Sequence, residues 1–301
     1  MTTHTFSVSG RQVLVVGAAR SGVAAAHLLA RRGAVVTLTD RKPQIPEAAD
    51  LRAAGVRLEL GGHQLASFEA AHLVVMSPGV PLDLAEVARA RAVGIPVIGE
   101  LELASRWLRG PIVAITGTKG KSTTTTLVGR MLEAAGRRVL VGGNIGYPVS
   151  AQVEASTADT VHVIEASSFQ LEATDTFRPW IAALLNFSPD HLDRHPAEAS
   201  YAAAKMRIFA NQQPQDWAVV NADSAEAMRM AEATRAQVVP YGIDNPSADI
   251  DAGRGFIWQR TSEGDVPLLP LASVHLAGRH MLSNVVAATA SQQDIFFRYR
   301  K

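Results

Sequence analysis

The most constraining feature of the sequence is a glycine-containing loop between an apolar run and a predicted helix. The apolar run covers residues 111–115, the loop holds Gly117 and Gly120, and Lys121 opens a helical pattern rich in hydroxyl residues. A strand, a glycine loop, a lysine and a helix together form a phosphate cradle, because amides of the loop and of the helix start point at an anion. The stretch departs from the standard GxxxxGK[ST] pattern, since Ile115 stands at its first glycine position. We interpret it as a shortened phosphate loop.

Two chemical roles follow for the residues at the end of this loop. Lys121 would place a full positive charge beside the bound anion, and a hydroxyl at Ser122 or Thr123 could hold Mg²⁺. The alternative is a glycine turn that only joins a strand to a helix, with the lysine in solvent. We favour the phosphate site because the flanking strand and helix are those that the mechanism requires.

Length and composition describe an ordinary globular chain. The 301 residues predict two domains, and 47% hydrophobic residues suffice for two cores. A net charge of +1 gives no electrostatic case for binding nucleic acid or a membrane surface. The chain has no cysteine, which excludes disulfides, thiolate catalysis and Cys-ligated zinc and fits a reducing cytoplasm. Because residues 1–11 are polar and no apolar run approaches the roughly 20 residues of a membrane span, we expect a cytoplasmic protein without membrane insertion.

Residues 1–99 alternate predicted strands and helices and are expected to form one α/β domain. The first strand ends in Gly17, a helix follows, and the second strand ends in Asp40. This βαβ unit is similar to a dinucleotide fold, with Gly22 at the third glycine position. Ala19 stands at the second position, where a glycine would let a pyrophosphate approach. We therefore disfavour NAD and expect another nucleotide-like ligand at this edge.

Residues 100–301 are expected to form a second α/β domain around the phosphate loop. One of its predicted strands ends in Glu165, a helix predicted over 200–210 carries Lys205, and another helix is predicted over 223–236. The predicted fold class is thus α/β: a Rossmann-like N-terminal domain followed by a P-loop NTPase-like central domain with a mostly parallel sheet.

Five motifs in colinear order resemble the ATP-dependent Mur ligases. They are Gly117 to Thr123, Gly143 to Gly146, Glu165 to Glu172, Asp190 to Pro196, and Tyr201 to Lys205. The Ser-Ser-Phe-Gln-Leu-Glu run and the Rossmann-like first domain favour the family members that add D-glutamate to UDP-N-acetylmuramoyl-L-alanine. The resemblance covers about residues 10–290. It implies an amide-bond-forming ligase of peptidoglycan precursor synthesis, and hence of cell wall biogenesis, cell shape and cell division, that works through an acyl phosphate.

The resemblance also implies ATP and Mg²⁺ and a set of residues that hold them. The implied ATP-binding residues are Gly117, Thr118, Lys119, Gly120, Lys121, Ser122, Thr123 and Asn284. The implied catalytic residues are Lys121, Glu165, His191 and Lys205. The implied metal ligands are Ser122, Thr123, Glu165, His191 and Lys205. Lys205 would act as a carbamate, because an ammonium repels Mg²⁺; without the neighbouring motifs we would interpret it as a solvated helix lysine.

The implied substrates are UDP-N-acetylmuramoyl-L-alanine and D-glutamate, and we expect a monomer. The implied substrate-binding residues are Arg20, Ser21, Asp40, Arg41, Ser77, Gly79, Asn144 and His191. Each has a plainer alternative from its sequence context. Arg20 could be a surface arginine, Asn144 a turn asparagine that tolerates positive φ, and His191 a loop histidine.

Two departures from the family pattern leave alternatives open. Family members usually read Gly-x-His-Asn-x-x-Asn near the adenine, and here Met281 replaces the first asparagine while Asn284 keeps the second. Methionine cannot hydrogen-bond a base edge, which affects ATP affinity or selectivity. The residues from Ser291 onward do not resemble the family's continuation, so we expect the third, amino-acid-binding domain to be absent. A nucleotide-binding module without ligase activity, or another Mur-type ligase, is therefore the alternative; a NAD-dependent enzyme is a weaker third hypothesis.

Overall fold

The chain forms two compact α/β units in a computed structural model that describes residues 6–190, 194–195, 197–275 and 278–292. Unit 1 extends to residue 108 and includes the later segments 147–156 and 169–177. Unit 2 takes the other described residues from 109 onward. The division therefore differs from a single boundary after residue 99, since the first unit continues further and takes in two segments from the second half of the chain.

Unit 1 is a parallel sheet with helices along the chain between its strands. Its strands are β1 Gln12–Val16, β2 Val35–Asp40, β3 Arg57–Leu60, β4 Leu73–Met76 and β5 Val97–Gly99. Its helices are α1 Arg20–Arg31, α2 Ala48–Ala53, α3 Leu65–Ala70, α4 Ala85–Ala92 and α5 Glu100–Ser105, with 3₁₀ turns at Val149–Ala151 and Val153–Ala155. The strand order β3-β2-β1-β4-β5 is that of a Rossmann fold. This confirms the predicted fold class of the N-terminal half.

The turn from β1 into α1 depends on two glycines. Gly17 has φ +97°, and a Cβ on it would lie 2.6 Å from Val80 Cγ2. A Cβ on Gly22 would lie 1.8 Å from the carbonyl oxygen of Gly17. Gly17 therefore lets the segment after β4 approach the turn, and Gly22 lets α1 pack closely against the end of β1.

Two buried carboxylates of α5 tie the later segments into unit 1. The backbone N–H of Ser150 donates to Glu100 Oε1 at 2.7 Å. The backbone N–H groups of residues 175–177 all donate to Glu102 Oε2, at 2.8, 3.0 and 2.9 Å. Glu100 is 1% exposed and Glu102 is fully buried, so these bonds replace part of the water that the two carboxylates lose on folding.

Unit 2 is built on a longer sheet. Its strands are β6 Ile112–Thr116, β7 Arg138–Gly143, β8 Thr160–Glu165, β9 Ile181–Leu184, β10 Trp217–Asn221, β11 Gln237–Ile243, β12 Ile250–Gly253, β13 Phe256–Thr261 and β14 Gly264–Pro270. Its helices are α6 Lys121–Ala134, α8 Glu198–Met206, α9 Ala225–Ala231 and α10 Arg279–Ala290, with 3₁₀ turns at Arg207–Phe209 and Leu271–Ser273; the short α7 Ser168–Leu171 begins in unit 2 and ends in unit 1. The sheet order is β14-β13-β12-β11-β10-β9-β6-β8-β7, and only the β12–β13 and β13–β14 pairs are antiparallel. The mostly parallel sheet predicted for this half is confirmed.

The strand order of unit 2 creates a crevice at one point of the sheet. β6 lies between β8 and β9, and β7 lies beyond β8. The connection after β6 therefore leads to one side and the connection after β8 returns to the other. Ligands of open α/β sheets bind at such a switch point, outside the carboxyl ends of the strands.

None of the described helices is long and apolar enough to cross a membrane.

Candidate functional site at the phosphate loop

The switch point of unit 2 brings the predicted phosphate loop next to the end of β8. Ile115 of β6 pairs in parallel with Glu165, the last residue of β8, and the loop begins directly after β6. β9 lies on the other side of β6, with Thr116 paired to Leu184. Side chains that follow three different strands therefore meet around one loop.

A separate apolar groove of about 440 Å³ runs between α8 and α9 and is lined by none of the predicted site residues.

The two loop glycines are both required by the structure. Gly120 has φ +84° and directly precedes α6, which begins at Lys121. A Cβ on Gly120 would lie 2.3 Å from Asn284 Oδ1, so a side chain there would force Asn284 to move. Gly117 has φ +155°, and a Cβ on it would lie 3.0 Å from Leu185 Cβ. The first turn of α6 contains no acidic residue, so its free N–H groups face no competing carboxylate within the helix.

Asn186 holds the loop in shape, and the sequence-based prediction did not include it. Its Oδ1 accepts from the backbone N–H groups of Thr118 and Lys119 at 3.0 and 2.9 Å. Its Nδ2 donates to the carbonyl of Lys119 at 3.0 Å. Asn186 follows β9, so the available signal was a polar residue at the carboxyl end of a strand. Only the placement of β9 beside β6 turns that signal into a contact.

Lys121 lies folded back over the loop. Its Nζ donates to the carbonyls of Gly117 and Thr118 at 2.9 and 3.0 Å. Burial lowers the pKa of this lysine, although the nearby carboxylates of Glu165 and Asp190 oppose the shift. An anion seated on the loop would offer the ammonium stronger acceptors than two neutral carbonyls.

Lys205 is buried rather than solvated. It is 1% exposed, its Nζ donates to the carbonyl of Gly117 at 2.8 Å, and the same atom lies 4.5 Å from the centre of the Tyr201 ring. Burial and the charge of Lys121 lower the pKa of Lys205 to about 7. An amine with this pKa is partly neutral and hence nucleophilic near neutral pH. The structure therefore brings Lys121 and Lys205 together on one loop carbonyl.

Glu165 is the buried acid of the site, at 1% exposure. Ser122 Oγ donates to its Oε2 at 2.7 Å, and Asn144 Nδ2 donates to its Oε1 at 2.7 Å. These hydrogen bonds join the start of α6, the end of β8 and the turn after β7. Thr123 follows Ser122 in the first turn of α6 and is half-buried.

Tyr201 fixes α8 against the loop and was also missed as a site residue. Its hydroxyl lies 3.4 Å from Thr118 Oγ1. The Thr118 hydroxyl donates to the carbonyl of Ser188 and accepts from the Ser188 N–H, both at 3.1 Å, so the Tyr201 hydroxyl is the donor. The ring of His195 packs 5.2 Å from the Tyr201 ring, and its Nε2 lies 3.1 Å from Ser168 Oγ. The motif from Tyr201 to Lys205 therefore contacts the loop through its tyrosine hydroxyl as well as through its lysine.

Of two further predicted site residues, Asn284 lies beside the loop and His191 is not among the described residues. Asn284 is 8% exposed, its Oδ1 faces Gly120, and its Nδ2 donates to Met281 Sδ at 3.8 Å. The methionine that replaces the family's first asparagine thus contacts the second one. His191 lies outside the described residues, so its predicted metal and substrate roles stay predictions.

The predicted substrate residues of unit 1 gather at the carboxyl edge of its sheet. Asp40 Oδ2 accepts from the Ala18 N–H at 2.6 Å, and Oδ1 accepts from the Lys42 N–H at 2.8 Å. Ser77 is 2% exposed and donates to the carbonyl of Gly17 at 3.1 Å. Asp40 and Ser77 therefore brace the glycine turn itself.

The other predicted substrate residues of unit 1 lie nearer to solvent. Arg20 and Ser21 begin α1, Arg41 follows β2, and Gly79 follows β4. Arg20, Arg41 and Gly79 are exposed, and Ser21 is half-buried.

The donor set around the loop fits a nucleotide phosphate and a hard divalent cation. Lys121 and the loop amides supply positive charge and N–H donors, while Glu165 and the Ser122 hydroxyl supply oxygen ligands. Among the described residues, no group of three or more His, Cys, Asp or Glu could hold a metal ion. The carboxylate of Glu165 with the Ser122 hydroxyl is compatible with Mg²⁺, which is commonly bound by one or two carboxylates together with phosphate oxygens and water.

Comparison with known proteins assigns both halves of the chain. A model of the Mur ligase middle domain matches residues 115–292, and a model of the MurD-like N-terminal domain of Mur ligases matches residues 11–99. A UDP-N-acetylmuramoylalanine–D-glutamate ligase from Anaeromyxobacter dehalogenans is 48% identical over an alignment of 293 residues that covers 93% of this chain and 63% of that protein. A protein of the same name from Acidobacterium capsulatum is 44% identical over 290 residues, or 94% of this chain and 63% of its own length. The chain thus spans less than two thirds of the length of these curated relatives.

Solved structures are similar in fold at low sequence identity. The UDP-N-acetylmuramate:L-alanyl-γ-D-glutamyl-meso-diaminopimelate ligase from Neisseria meningitides matches with a TM-score of 0.62 and 19% identity, over 95% of this chain and 94% of that one. UDP-N-acetylmuramate–alanine ligase MurC from Thermotoga maritima matches with a TM-score of 0.54 and 20% identity, over 96% of this chain and 66% of that one. The middle-domain model covers more than half of the residues and includes the phosphate loop, Glu165 and Lys205. The chain therefore belongs to the Mur ligase family.

Proposed function

We propose that this chain carries the UDP-substrate and ATP sites of a ligase that joins D-glutamate to UDP-N-acetylmuramoyl-L-alanine in peptidoglycan precursor synthesis. The observation that carries the proposal is the meeting of Lys121, Glu165 and Lys205 around the glycine loop of unit 2. The printed names of the relatives at 44% and 48% identity support the choice of substrates. We further propose that the protein works as a monomer in the cytoplasm.

The residues of the loop would bind and orient the triphosphate of ATP. Lys121 would exchange its two carbonyl partners for phosphate oxygens, which stabilises charge that develops during phosphoryl transfer. Ser122 and Glu165 would hold Mg²⁺, which neutralises phosphate charge when bound. The substrate carboxylate would take the γ-phosphoryl group, and the amine of D-glutamate would then displace phosphate from the acyl phosphate. No side chain of the site becomes covalently bonded to the substrate or to ATP in this scheme.

Lys205 would complete the metal site as a carbamate. Its neutral amine attacks the carbon of CO₂, a C–N bond forms, and one proton leaves to solvent. The product is an anionic oxygen ligand where an ammonium would repel the cation. The lowered pKa of about 7 supports this step, because burial and Lys121 both favour the neutral amine.

Unit 1 would bind the UDP part of the substrate at the carboxyl edge of its sheet. Arg20 at the start of α1 would neutralise the diphosphate, together with free N–H groups of that helix. Asp40 would hold the glycine turn through its bond to Ala18, while the exposed Arg41 would contact the ligand. We assign Asp40 a supporting role because backbone N–H groups already donate to both of its carboxylate oxygens.

Two alternatives remain open to test. A nucleotide-binding module without ligation is favoured by Met281, which contacts Asn284 where a second amide would otherwise read the adenine. Another Mur-type ligase would share the ATP site but take a different amino acid. Calorimetric titration of the 301-residue chain with ATP and with UDP-N-acetylmuramoyl-L-alanine separates binding from turnover.

A phosphate-release assay tests the ligase directly. Release should require ATP, UDP-N-acetylmuramoyl-L-alanine and D-glutamate together, and Lys121→Ala should abolish it. Replacing D-glutamate by L-alanine or meso-diaminopimelate should give no release. Release that ignores D-glutamate would refute the proposed reaction, and binding of both nucleotides without any release would favour the module.

A further inference from the structure

Asn144 forms hydrogen bonds with both the main chain and the side chain of Glu165. Its backbone N–H donates to the carbonyl oxygen of Glu165 at 2.9 Å. Its side-chain Nδ2 donates to Glu165 Oε1 at 2.7 Å. One residue of a turn therefore fixes both the main chain and the carboxylate of the buried acid.

The backbone around Asn144 is shaped for this contact. Gly143 pairs with Glu165 at the end of the β7–β8 ladder and has φ +101°. A Cβ on Gly143 would lie 2.4 Å from the carbonyl oxygen of Glu165. Only glycine allows the turn to approach this closely, and the approach brings the next residue within reach of the carboxylate.

The two oxygens of the Glu165 carboxylate have different partners. Oε2 accepts from the Ser122 hydroxyl at 2.7 Å, on the side of the phosphate loop, and Oε1 accepts from Asn144. Rotation of the carboxylate would break the bond between Oε1 and the amide, so this bond keeps Oε2 directed at the Ser122 hydroxyl in the first turn of α6. A hydrogen bond of this kind orients a metal-binding carboxylate.

We infer that Asn144 is a positioning residue for Glu165 and that it sets the affinity of the site for its divalent cation. The inference rests on the proposed function, since it concerns the cation that accompanies the nucleotide. Asn144 is exposed, and within the described part of the chain its Oδ1 makes no hydrogen bond. The same side chain can thus accept a bond from substrate while its amide holds Glu165, which links cation binding to substrate binding.

The inference predicts a change in metal affinity that a pure substrate contact would not cause. Mn²⁺ binding to the 301-residue chain is measured by electron paramagnetic resonance in the presence of ADP. Asn144→Ala should weaken Mn²⁺ binding by about tenfold or more, which is the usual effect of losing a partner of a metal ligand. ADP affinity measured without metal should stay within about twofold of the parent, because the loop amides and Lys121 are unchanged.

Two further variants make the result decisive. Asn144→Leu keeps the approximate volume but lacks the donor, and it should weaken Mn²⁺ binding as much as Asn144→Ala does. Gln237→Ala removes an amide side chain at the opposite, amino end of β11 and should leave Mn²⁺ binding unchanged. Circular dichroism and thermal unfolding verify that each variant is folded.

The outcomes distinguish the inference from the proposed function. If the parent binds Mn²⁺ with ADP and Asn144→Ala and Asn144→Leu bind it equally well, the positioning role is refuted and the proposed function stands. If the parent binds neither ADP nor Mn²⁺, the proposed function fails and this inference fails with it. A loss of UDP-substrate affinity in Asn144→Ala with unchanged Mn²⁺ affinity would reduce Asn144 to a substrate contact.

Discussion

Lys121 and Lys205 donate to the same acceptor, the carbonyl oxygen of Gly117, at 2.9 and 2.8 Å. Two ammonium groups at one neutral oxygen repel each other, and burial limits their screening by water. The site therefore favours either a neutral Lys205 or the arrival of negative charge. Both outcomes are part of the proposed function: a neutral Lys205 is the form that becomes a carbamate, and a nucleotide phosphate would bring the negative charge.

The first prediction concerns the carbamate of Lys205. With a pKa of about 7, roughly one tenth of this amine is neutral at pH 6 and roughly nine tenths at pH 8. A ¹³C NMR signal of a carbamate should therefore grow between these pH values in protein equilibrated with ¹³C-bicarbonate. An ordinary lysine would require a much higher pH, because its pKa is about 10.4.

A matched variant identifies the signal. The α-amino group also titrates near pH 8 and can form a carbamate, so the spectrum is compared with that of Lys205→Met. The methionine has similar length and suits a buried site. A carbamate signal that survives this substitution, or that is absent from the parent at pH 8, would contradict the prediction.

The second prediction concerns Lys121 and the nucleotide. Charge-assisted hydrogen bonds contribute about 1.5–3 kcal/mol, so Lys121→Ala should weaken ATP binding by roughly 10- to 150-fold. Isothermal titration calorimetry measures the two dissociation constants. Arg130→Ala, at an exposed position of the same helix, serves as the control for loss of a positive charge and should bind as the parent does. Equal ATP affinity in Lys121→Ala would remove the basis of the phosphate site.

The third prediction separates backbone strain from steric exclusion at Gly120. Gly120 and Gly136 have similar φ values of +84° and +76°, but a Cβ on Gly136 meets nothing within 4 Å. Gly136→Ala should therefore cost about 1–2 kcal/mol from backbone strain alone, and Gly120→Ala should cost roughly 1–3 kcal/mol more through its clash with Asn284. Denaturant unfolding measures both losses.

A double variant tests the cause of that difference. In an Asn284→Ala background, Gly120→Ala should lose stability by about as much as Gly136→Ala does, because the clashing oxygen is gone. The clash explanation is wrong if Gly120→Ala costs the same with and without Asn284.

The fourth prediction is a pH dependence that arises from His162. This residue lies on β8 and is 1% exposed, and burial lowers its pKa to about 4. In the unfolded chain its pKa is about 6.5, so between these values the unfolded chain binds a proton that the folded chain does not. Stability should therefore fall by about 3 kcal/mol as the pH is lowered from 6.5 to 4, with no further change from this group below pH 4.

The contribution of His162 is isolated by comparison. Urea unfolding of the parent and of His162→Leu at four pH values from 4.5 to 7.5 gives two stability curves, and their difference should slope only in the lower part of this range. An identical pH dependence in the parent and in His162→Leu would contradict the prediction.

The phosphate loop and the strand-end carboxylate were predictable because their signals are local. The loop contacts made by Asn186 were not, since the contact with Lys119 spans 67 positions and depends on β9 lying beside β6. The same holds for Tyr201, whose hydroxyl reaches Thr118 across 83 positions. Strand order is set by packing of the whole sheet, and local patterns do not contain it.

Several elements escaped prediction for identifiable reasons. β14 contains Pro267 and Pro270, which argue against a strand, but it is the edge strand of its sheet, where a missing N–H is tolerated. The helix predicted over 223–236 is shorter and covers Ala225–Ala231; beyond its end the Thr234 hydroxyl accepts from the Ala236 N–H, a local bond that competes with helical hydrogen bonding. β12 and α10 were missed as elements, although Asn284 of α10 was predicted from its motif.

The two carboxylates of α5 constrain how this molecule can be recombined with its relatives. Severing the polypeptide after residue 108 would strip Glu100 and Glu102 of the amides of Ser150 and of residues 175–177. Each stranded acid would then lose part of its burial or take up a proton. A chimera that joins unit 1 of one Mur ligase to another must therefore carry over all three segments of the unit, up to residue 108, 147–156 and 169–177. Otherwise its buried acids lack their hydrogen-bond donors.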